Sequence, residues 1–508
     1  MANAVLNLSE LNGSNGFVIN GIDSTDFSGS SVSSAGDING DGIDDLIIGA
    51  TYADPNSQRE AGESYVVFGS NSSFEASFNL SSLNGSNGFV INGIDSRDRS
   101  GISVSNAGDI NGDGFDDLII GASRDLNGDG FGDLIIGASR DPNSYVVFGS
   151  NSGFGASFNL SSLNGSNGFV INGTGANSYS GVSVSNAGDL NGDGFDDLII
   201  GAGNPCYVVF GSNSGFGASF NLSSLNGSNG FVINTDFSSS SVSSAGDING
   251  DGIDDLIIGA ESASPNGRNR AGESYVVFGS NSGFGASFNL SSLNGSNGFV
   301  IKGIDAGDRS GSSVSSAGDI NGDGFDDLII GAFGADPNGQ PYAGSSYVVF
   351  GSNSGFEASF NLSSLNGSNG FVINGIGAND GSGVSVSSAG DVNGDGFYDL
   401  IIGTNSIDYG SQFQAGRSYV IFGRSTGFGA GFNLSSLDGS EGFAINGINS
   451  GDRSGSSVSS AGDINDDGFD DLIIGAYRAS PNGNSSAGES YVVFGFASPT
   501  PINKPPVP

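Results

Sequence analysis

Hydrophobic positions in this chain come in short runs that return at fixed offsets. The first set reads GFVIN at 16–20, SVSSAGD at 31–37, DLIIGA at 45–50 and SYVVFG at 64–69. Each run has the length of a typical strand, and Gly, Ser, Asn and Asp separate one run from the next. SVSSAGD is made of small residues around one Val, which suits a strand in a crowded place. DLII is apolar without alternation, which predicts a strand covered on both faces. The aromatic of GFVIN returns as Phe89, Phe169, Phe231, Phe299, Phe371 and Phe443, and the other three runs return with it. The chain therefore reads as a series of four-strand units.

The Asp that ends SVSSAGD marks the period. It falls at 37, 109, 189, 247, 319, 391 and 463, so four of the six intervals are 72 residues. Seven such units predict an all-β protein, a seven-bladed β-propeller of four-stranded antiparallel blades. A calcium-binding parallel β-helix would need a Gly-Gly-x-Gly-x-Asp repeat and a far shorter period. A row of separate β-sandwiches fits poorly with runs as apolar as DLII. The sequence enters on GFVIN and leaves on SYVVFG, so the N-terminal strand is expected to complete the last blade and limit open sheet edges. The expected organisation is one propeller over 1–496, with the outer strand of the last blade at 5–22. Blade repeats are expected at about 29–93, 101–172, 181–234, 239–302, 311–374, 383–446 and 455–496, and 497–508 as a Pro-rich tail or linker. The small residues of SVSSAGD fit the innermost strand, and the repeated Phe and Tyr are expected to fill wedges between blades. Two stretches break the period: GASRDLNGDGFGDLIIGASR at 121–140 is a tandem duplication, and the third unit contracts to AGNPC at 202–206.

Between SVSSAG and LIIGA lies a nonapeptide, Asp37-Ile38-Asn39-Gly40-Asp41-Gly42-Ile43-Asp44-Asp45. Oxygen side chains at its positions 1, 3, 5 and 9, with Gly at 6 for a sharp turn, suit a hard cation with many oxygen ligands, which means Ca²⁺. Asp37, Asn39, Asp41 and Asp45 would supply side chains and Ile43 its carbonyl. The same five positions recur as Asp109, Asn111, Asp113, Phe115 and Asp117, then as Asp189, Asn191, Asp193, Phe195 and Asp197. They return as Asp247, Asn249, Asp251, Ile253 and Asp255, and as Asp319, Asn321, Asp323, Phe325 and Asp327. The last two sets are Asp391, Asn393, Asp395, Phe397 and Asp399, and Asp463, Asn465, Asp467, Phe469 and Asp471. The tandem duplication adds an eighth, Asp125, Asn127, Asp129, Phe131 and Asp133. An EF-hand loop would carry a bidentate Glu at position 12, where this chain has Ile48, so the expected element is a calcium hairpin between two strands. Asn, Gly and Asp are also ordinary turn formers, but a turn needs only one or two of those oxygens. Repeated retention of all four points to metal, with seven sites expected and the eighth copy at 125–133 as a further candidate. Asp44 and its counterparts are spare, and are expected in solvent or one step removed from the ion.

Composition narrows the function. The formal charge is −40, from 54 acids against 14 bases, and more than half of the acids lie in the nonapeptides. Bound metal would offset much of that self-repulsion. No basic stripe is present to displace phosphate counterions, so nucleic acid is not an expected partner. With no His and the single Cys206, Ser/His/Asp and Cys/His nucleophilic schemes are excluded and no intramolecular disulfide can form. No apolar run approaches the ~20 residues of a membrane span. The segment MANAVLNLSELNG lacks the basic flank and apolar stretch of a secretory signal.

SVSSAGD, then DxNGDGxDDLIIGA, then AGESYVVFG resembles the FG-GAP repeat of the integrin α-subunit head, over essentially the whole chain to about residue 496. That resemblance implies a seven-bladed propeller with calcium in hairpins between the first two strands of some blades. This chain departs from the family by carrying the loop in every unit, by near-identical repeats, and by having no inserted adhesion domain, leg domains or membrane helix. FG-GAP repeats also occur beside phospholipase-type catalytic domains.

Strand direction sorts the remaining loops onto the face opposite the hairpins, and there the units differ, as at 51–63, 261–273, 333–345 and 404–417. Ten of the 14 bases fall there: Arg59, Arg97, Arg99, Arg140, Arg268, Arg270, Arg309, Arg417, Arg453 and Arg478, with Tyr52, Tyr179, Tyr342, Tyr409 and Tyr477. Arg and Tyr are enriched at interfaces, and scaffold-held loops carry recognition. The expectation is a monomeric, non-enzymatic adhesion or ligand-binding module, secreted or at the cell surface, that takes a protein or glycan on this face. The alternative is an accessory or lectin-like propeller of a larger secreted enzyme or surface protein. Millimolar extracellular calcium would fill such loops readily.

Overall fold

The computed structural model describes residues 5–122, 143–174, 181–201, 204–235, 237, 241–406 and 413–497. They form seven sheets of five strands each, a seven-bladed β-propeller. In the fourth blade, Ser241–Gly246 is innermost and pairs with Asp255–Ala260, followed by Glu273–Val277 and Gly298–Lys302, all antiparallel. A fifth strand, Ser359–Asn361, then joins in parallel from the next unit. The expected four strands per blade are thus all present, and the count was one short. The SFN strand escapes sequence reading because three residues give no period to detect.

That borrowed strand ties each blade to its successor. Asn side chains bridge the parallel pair: Asn92 Nδ2 donates to Asn159 Oδ1 at 3.2 Å and Asn446 Nδ2 to Asn7 Oδ1 at 2.9 Å. The N-terminal segment serves two blades. Gly16–Asn20 pairs antiparallel with Glu489–Val493 as the fourth strand of the last blade. Val5–Asn7 instead joins Gly442–Asn446 in the blade before it, so the span 5–22 does not lie wholly in the last blade.

Around the axis, each innermost strand presents a Ser oxygen to the next. Val104 N–H donates to Ser31 Oγ, and the pattern continues through Val184 to Ser103, Val242 to Ser183, Val314 to Ser241, Val386 to Ser313 and Val458 to Ser385. Val32 N–H to Ser457 Oγ, at 3.1 Å, completes the ring. Small inner-strand side chains are what allow this approach. DLII is buried throughout, as its lack of alternation predicted. The Phe of each GFVIN is buried against its neighbour unit: Phe89 stacks on Phe154 with centroids 4.2 Å apart and rings 8° from parallel. Each such ring contributes roughly 1.5–3 kcal/mol of burial. Among the described residues no helix is long and apolar enough to cross a membrane.

Candidate metal hairpins and the opposite face

Each of the seven described nonapeptides forms the hairpin between the innermost and second strands, entered through a bulge that in the first blade falls between Ser34 and Gly36. Asp37 shapes the turn: its Oδ1 accepts the N–H of Gly40 at 2.7 Å and of Asp41 at 3.0 Å, and its Oδ2 that of Gly42 at 2.8 Å. Asp41 Oδ1 accepts from Ile43 N–H. Asp45, at position 9, is completely buried. Its Oδ1 accepts the N–H of Gly69, at the end of SYVVFG, at 2.8 Å, and Asn39 Nδ2 donates to both carboxylate oxygens. The Gly69 bond recurs at 2.8 Å from Gly149, Gly211, Gly279, Gly351, Gly423 and Gly495 to the position-9 Asp of their blades. Gly is required there, because a Cβ on Gly69 would lie 2.2 Å from the carbonyl oxygen of Asp44.

Burial, helped by the charges of Asp41 and Asp37, pushes the Asp45 carboxyl up to about 8. Burial likewise takes Asp117, Asp197, Asp255, Asp327 and Asp471 to about 8, and Asp399 well above its ordinary value. A carboxylate this deep is costly unless a cation stands beside it. Among the described residues, no group of three or more His, Cys, Asp or Glu stands close enough to hold a metal ion. Asp37 turns both oxygens to loop amides, and Asn39 presents its nitrogen to Asp45. The donor set itself is all oxygen and fits a hard ion. Asn393 adds an orphan: its Oδ1 is buried without a partner in a residue only 1% exposed. In the seven described hairpins the residues at positions 1, 3, 5 and 9 lie in one turn but are not drawn together around a common point, position 1 capping loop amides and position 3 donating to position 9; the eighth copy, at 125–133, lies outside the described residues.

Asp44 and its counterparts are not spare. Asp116 Oδ2 accepts the N–H of Asp37 from the preceding blade at 3.0 Å. The same staple joins Asp109 to Asp196, Asp189 to Asp254, Asp247 to Asp326, Asp391 to Asp470 and Asp463 to Asp44, at 2.7–3.0 Å. The seventh junction breaks the pattern, since Tyr398 stands where Asp319 would meet a carboxylate. Sequence reading could have found the staple only by asking why two Asp follow each other at positions 8 and 9.

On the opposite face, at the five junctions where both loops are described, the loop before the inner strand pairs with the loop of the preceding blade. Ser100 N–H donates to Ala61 O at 2.9 Å, and Arg99 N–H to Glu60 O at 3.1 Å. Arg99, expected among the ligand-facing bases, is only 6% exposed: its guanidinium lies 4.4 Å over the Tyr52 ring and 3.7 Å from Glu60. Arg309 lies over Phe333, and Arg453 donates to Tyr477 Oη at 3.0 Å. Arg99 and Arg309, the latter 3.7 Å from Glu261, reach the preceding blade, whereas Arg453 meets a Tyr of its own unit, and none of the three is fully exposed. Arg59, Arg268, Arg270 and Arg478 are exposed, and so is Tyr342. Arg140, Tyr179 and Tyr409 lie outside the described residues.

Residues 28–67, 100–124, 180–217, 239–277, 310–349, 382–421 and 454–493 match the FG-GAP repeat model. The chain is 30% identical to integrin alpha-4 of Xenopus laevis over 33% of its own length and 14% of that protein. It is 32% identical to phosphatidylinositol-glycan-specific phospholipase D of Bos taurus over 34% of its length and 20% of that protein. It is 30% identical to integrin alpha-5 of Xenopus laevis over 46% of its length and 20% of that protein. The matched region thus spans a fifth or less of each of these relatives. Seven matched repeats, one in each blade and together covering half of the chain, make this protein a member of the FG-GAP repeat family.

Proposed function

We propose that the protein is a calcium-loaded, non-enzymatic binding propeller, secreted or held at the cell surface, that captures a protein or glycan through the loops opposite its hairpins. The observation that carries this reading is the seven-times-repeated buried Asp, represented by Asp45, beside two further acids of its loop. Asp37, Asn39, Asp41 and Asp45 and their counterparts would hold the ion. Ca²⁺ would supply positive charge that offsets the clustered carboxylates, and it is a poor source of hydroxide. The integrin relatives support a ligand-binding role and an extracellular setting. Native mass spectrometry in calcium and in chelator tests the metal: about seven ions lost on chelation are expected, and none bound in calcium would reject it. Capture of extracellular proteins and glycans before and after Arg268→Glu with Arg270→Glu tests the face, because both side chains are exposed there. Unchanged capture by the double variant would reject that assignment.

The match to phosphatidylinositol-glycan-specific phospholipase D favours a second reading, an accessory propeller of a larger secreted enzyme. A catalytic domain encoded in frame with this chain would support it.

A further inference from the structure

We propose a second binding surface, on the hairpin face, that takes neutral saccharides. It goes beyond the opposite-face reading and stands or falls separately from it. Between the first hairpin and the segments that cross from third to fourth strands lies an open groove of about 650 Å³. That volume is within the roughly 300–1,000 Å³ of small-ligand sites. Its wall is made of side-chain amides and hydroxyls with Phe rings between them, and it contains no Lys or Arg. The only charged side chains lining it are the acids Asp41 and Glu75, and a Ca²⁺ held by Asp37, Asp41 and Asp45 would still leave that hairpin with an excess of acid, so phosphate, sulfate or a sugar carboxylate would find no basic side chain to pair with. A purely apolar ligand would strip water from the amides without replacing it. A neutral sugar answers both conditions, since each hydroxyl donates and accepts as each amide does.

The wall is already fixed. Asn87 Oδ1 accepts from Asn84 N–H at 3.0 Å while its Nδ2 donates to Ser82 O at 3.2 Å, and Ser82 Oγ donates to Asn79 O at 2.7 Å. Phe74, half-buried in the groove, is held by a stack on Phe17 at 4.5 Å. A preformed wall loses little freedom on binding. The residues recur around the ring: Asn151, which reaches the first groove from the next unit, has counterparts Asn71, Asn213, Asn281 and Asn353. Weak sites repeated this way can gain roughly 10²–10⁴ in avidity.

The test is a glycan array carrying neutral, sialylated and sulfated oligosaccharides, read in calcium with wild type and with all five of these Asn changed to Trp. All five are exposed, so the indoles fill grooves without entering the core. Expected is retention on neutral glycans, lowered at least about tenfold in the variant, with its melting temperature and calcium count as in wild type. No neutral glycan retained, a preference for charged glycans, or equal retention by the variant would overturn the proposal. A calcium count of zero in wild type would sink the metal reading and leave this one standing.

Discussion

The Asp116 staple gives the sharpest test of how the blades are joined. Its Oδ2 lies 3.0 Å from the amide of Asp37 in the preceding blade. Burial raises the Asp116 carboxyl above its ordinary value even though the Asp37 amide pulls the other way, so desolvation outweighs the charge of the hydrogen bond. Asp116→Ala removes the acceptor and leaves a half-buried N–H wanting one, at a cost of about 1–3 kcal/mol. Asp116→Asn keeps an oxygen for the same amide and drops the buried charge, and should fall within about 1 kcal/mol of wild type. Because the folded carboxyl titrates above the unfolded one, Asn gains on Asp as pH rises and loses that gain in acid. The assay is hydrogen exchange on the peptide holding Asp37, alongside the urea midpoint. Each 1.4 kcal/mol of lost closure speeds local exchange about tenfold. Tyr398→Asp is the reverse experiment, giving Asp319 the carboxylate it lacks, and exchange there should slow. Equal exchange at Asp37 in wild type and Asp116→Ala would refute the staple as a source of cohesion.

Three further outcomes follow from the same geometry. Calcium at about 100 times Kd should add about 2.7 kcal/mol per occupied loop, so chelation should lower the melting temperature by well over 10 °C, and melting that ignores chelator would exclude bound calcium as a stabiliser. Asp26, 8% exposed on the opposite face, is pushed up to about 7 by burial and then by Glu63 and Asp23, so its contribution to stability is full below the unfolded value of 3.8 and lost as pH rises through about 7. That is at most about 4 kcal/mol, and Asp26→Asn should flatten the decline measured by urea titration across that window; an equally steep decline would count against it. Asp466 holds the left-handed φ of 57° that Gly40 and its other counterparts take, so Asp466→Gly should raise stability by about 0.5–1 kcal/mol, and a lowered urea midpoint would contradict the strain.

What could be read in the sequence was what repeats with a period long enough to detect. Blade number, ring closure through the first GFVIN and the buried DLII runs all express a hydrophobic pattern, and the pattern is set by burial on one or both faces of a strand. The fifth strand carries no such signal: Ser157–Asn159 has one half-buried Phe between two exposed residues, and its place is decided by the neighbouring blade's edge. Asp44 misled for the opposite reason. Its motif was visible, but two Asp in succession look alike in sequence, whereas adjacent residues at a strand entry point to opposite sides. One therefore enters its own hairpin and the other reaches the neighbouring blade. The Arg residues of the opposite face divide in the same way. Arg99 and Arg309 hold the same place in their units and differ in what the preceding blade offers: the Tyr52 ring covers the Arg99 guanidinium, whereas Arg309 meets Glu261 and stays half-exposed. Position within a repeat thus tells where a side chain starts, while the adjacent unit decides whether it meets solvent. The bases open on this face are therefore Arg59, Arg268, Arg270 and Arg478, and not Arg99, which clasps blades one and two.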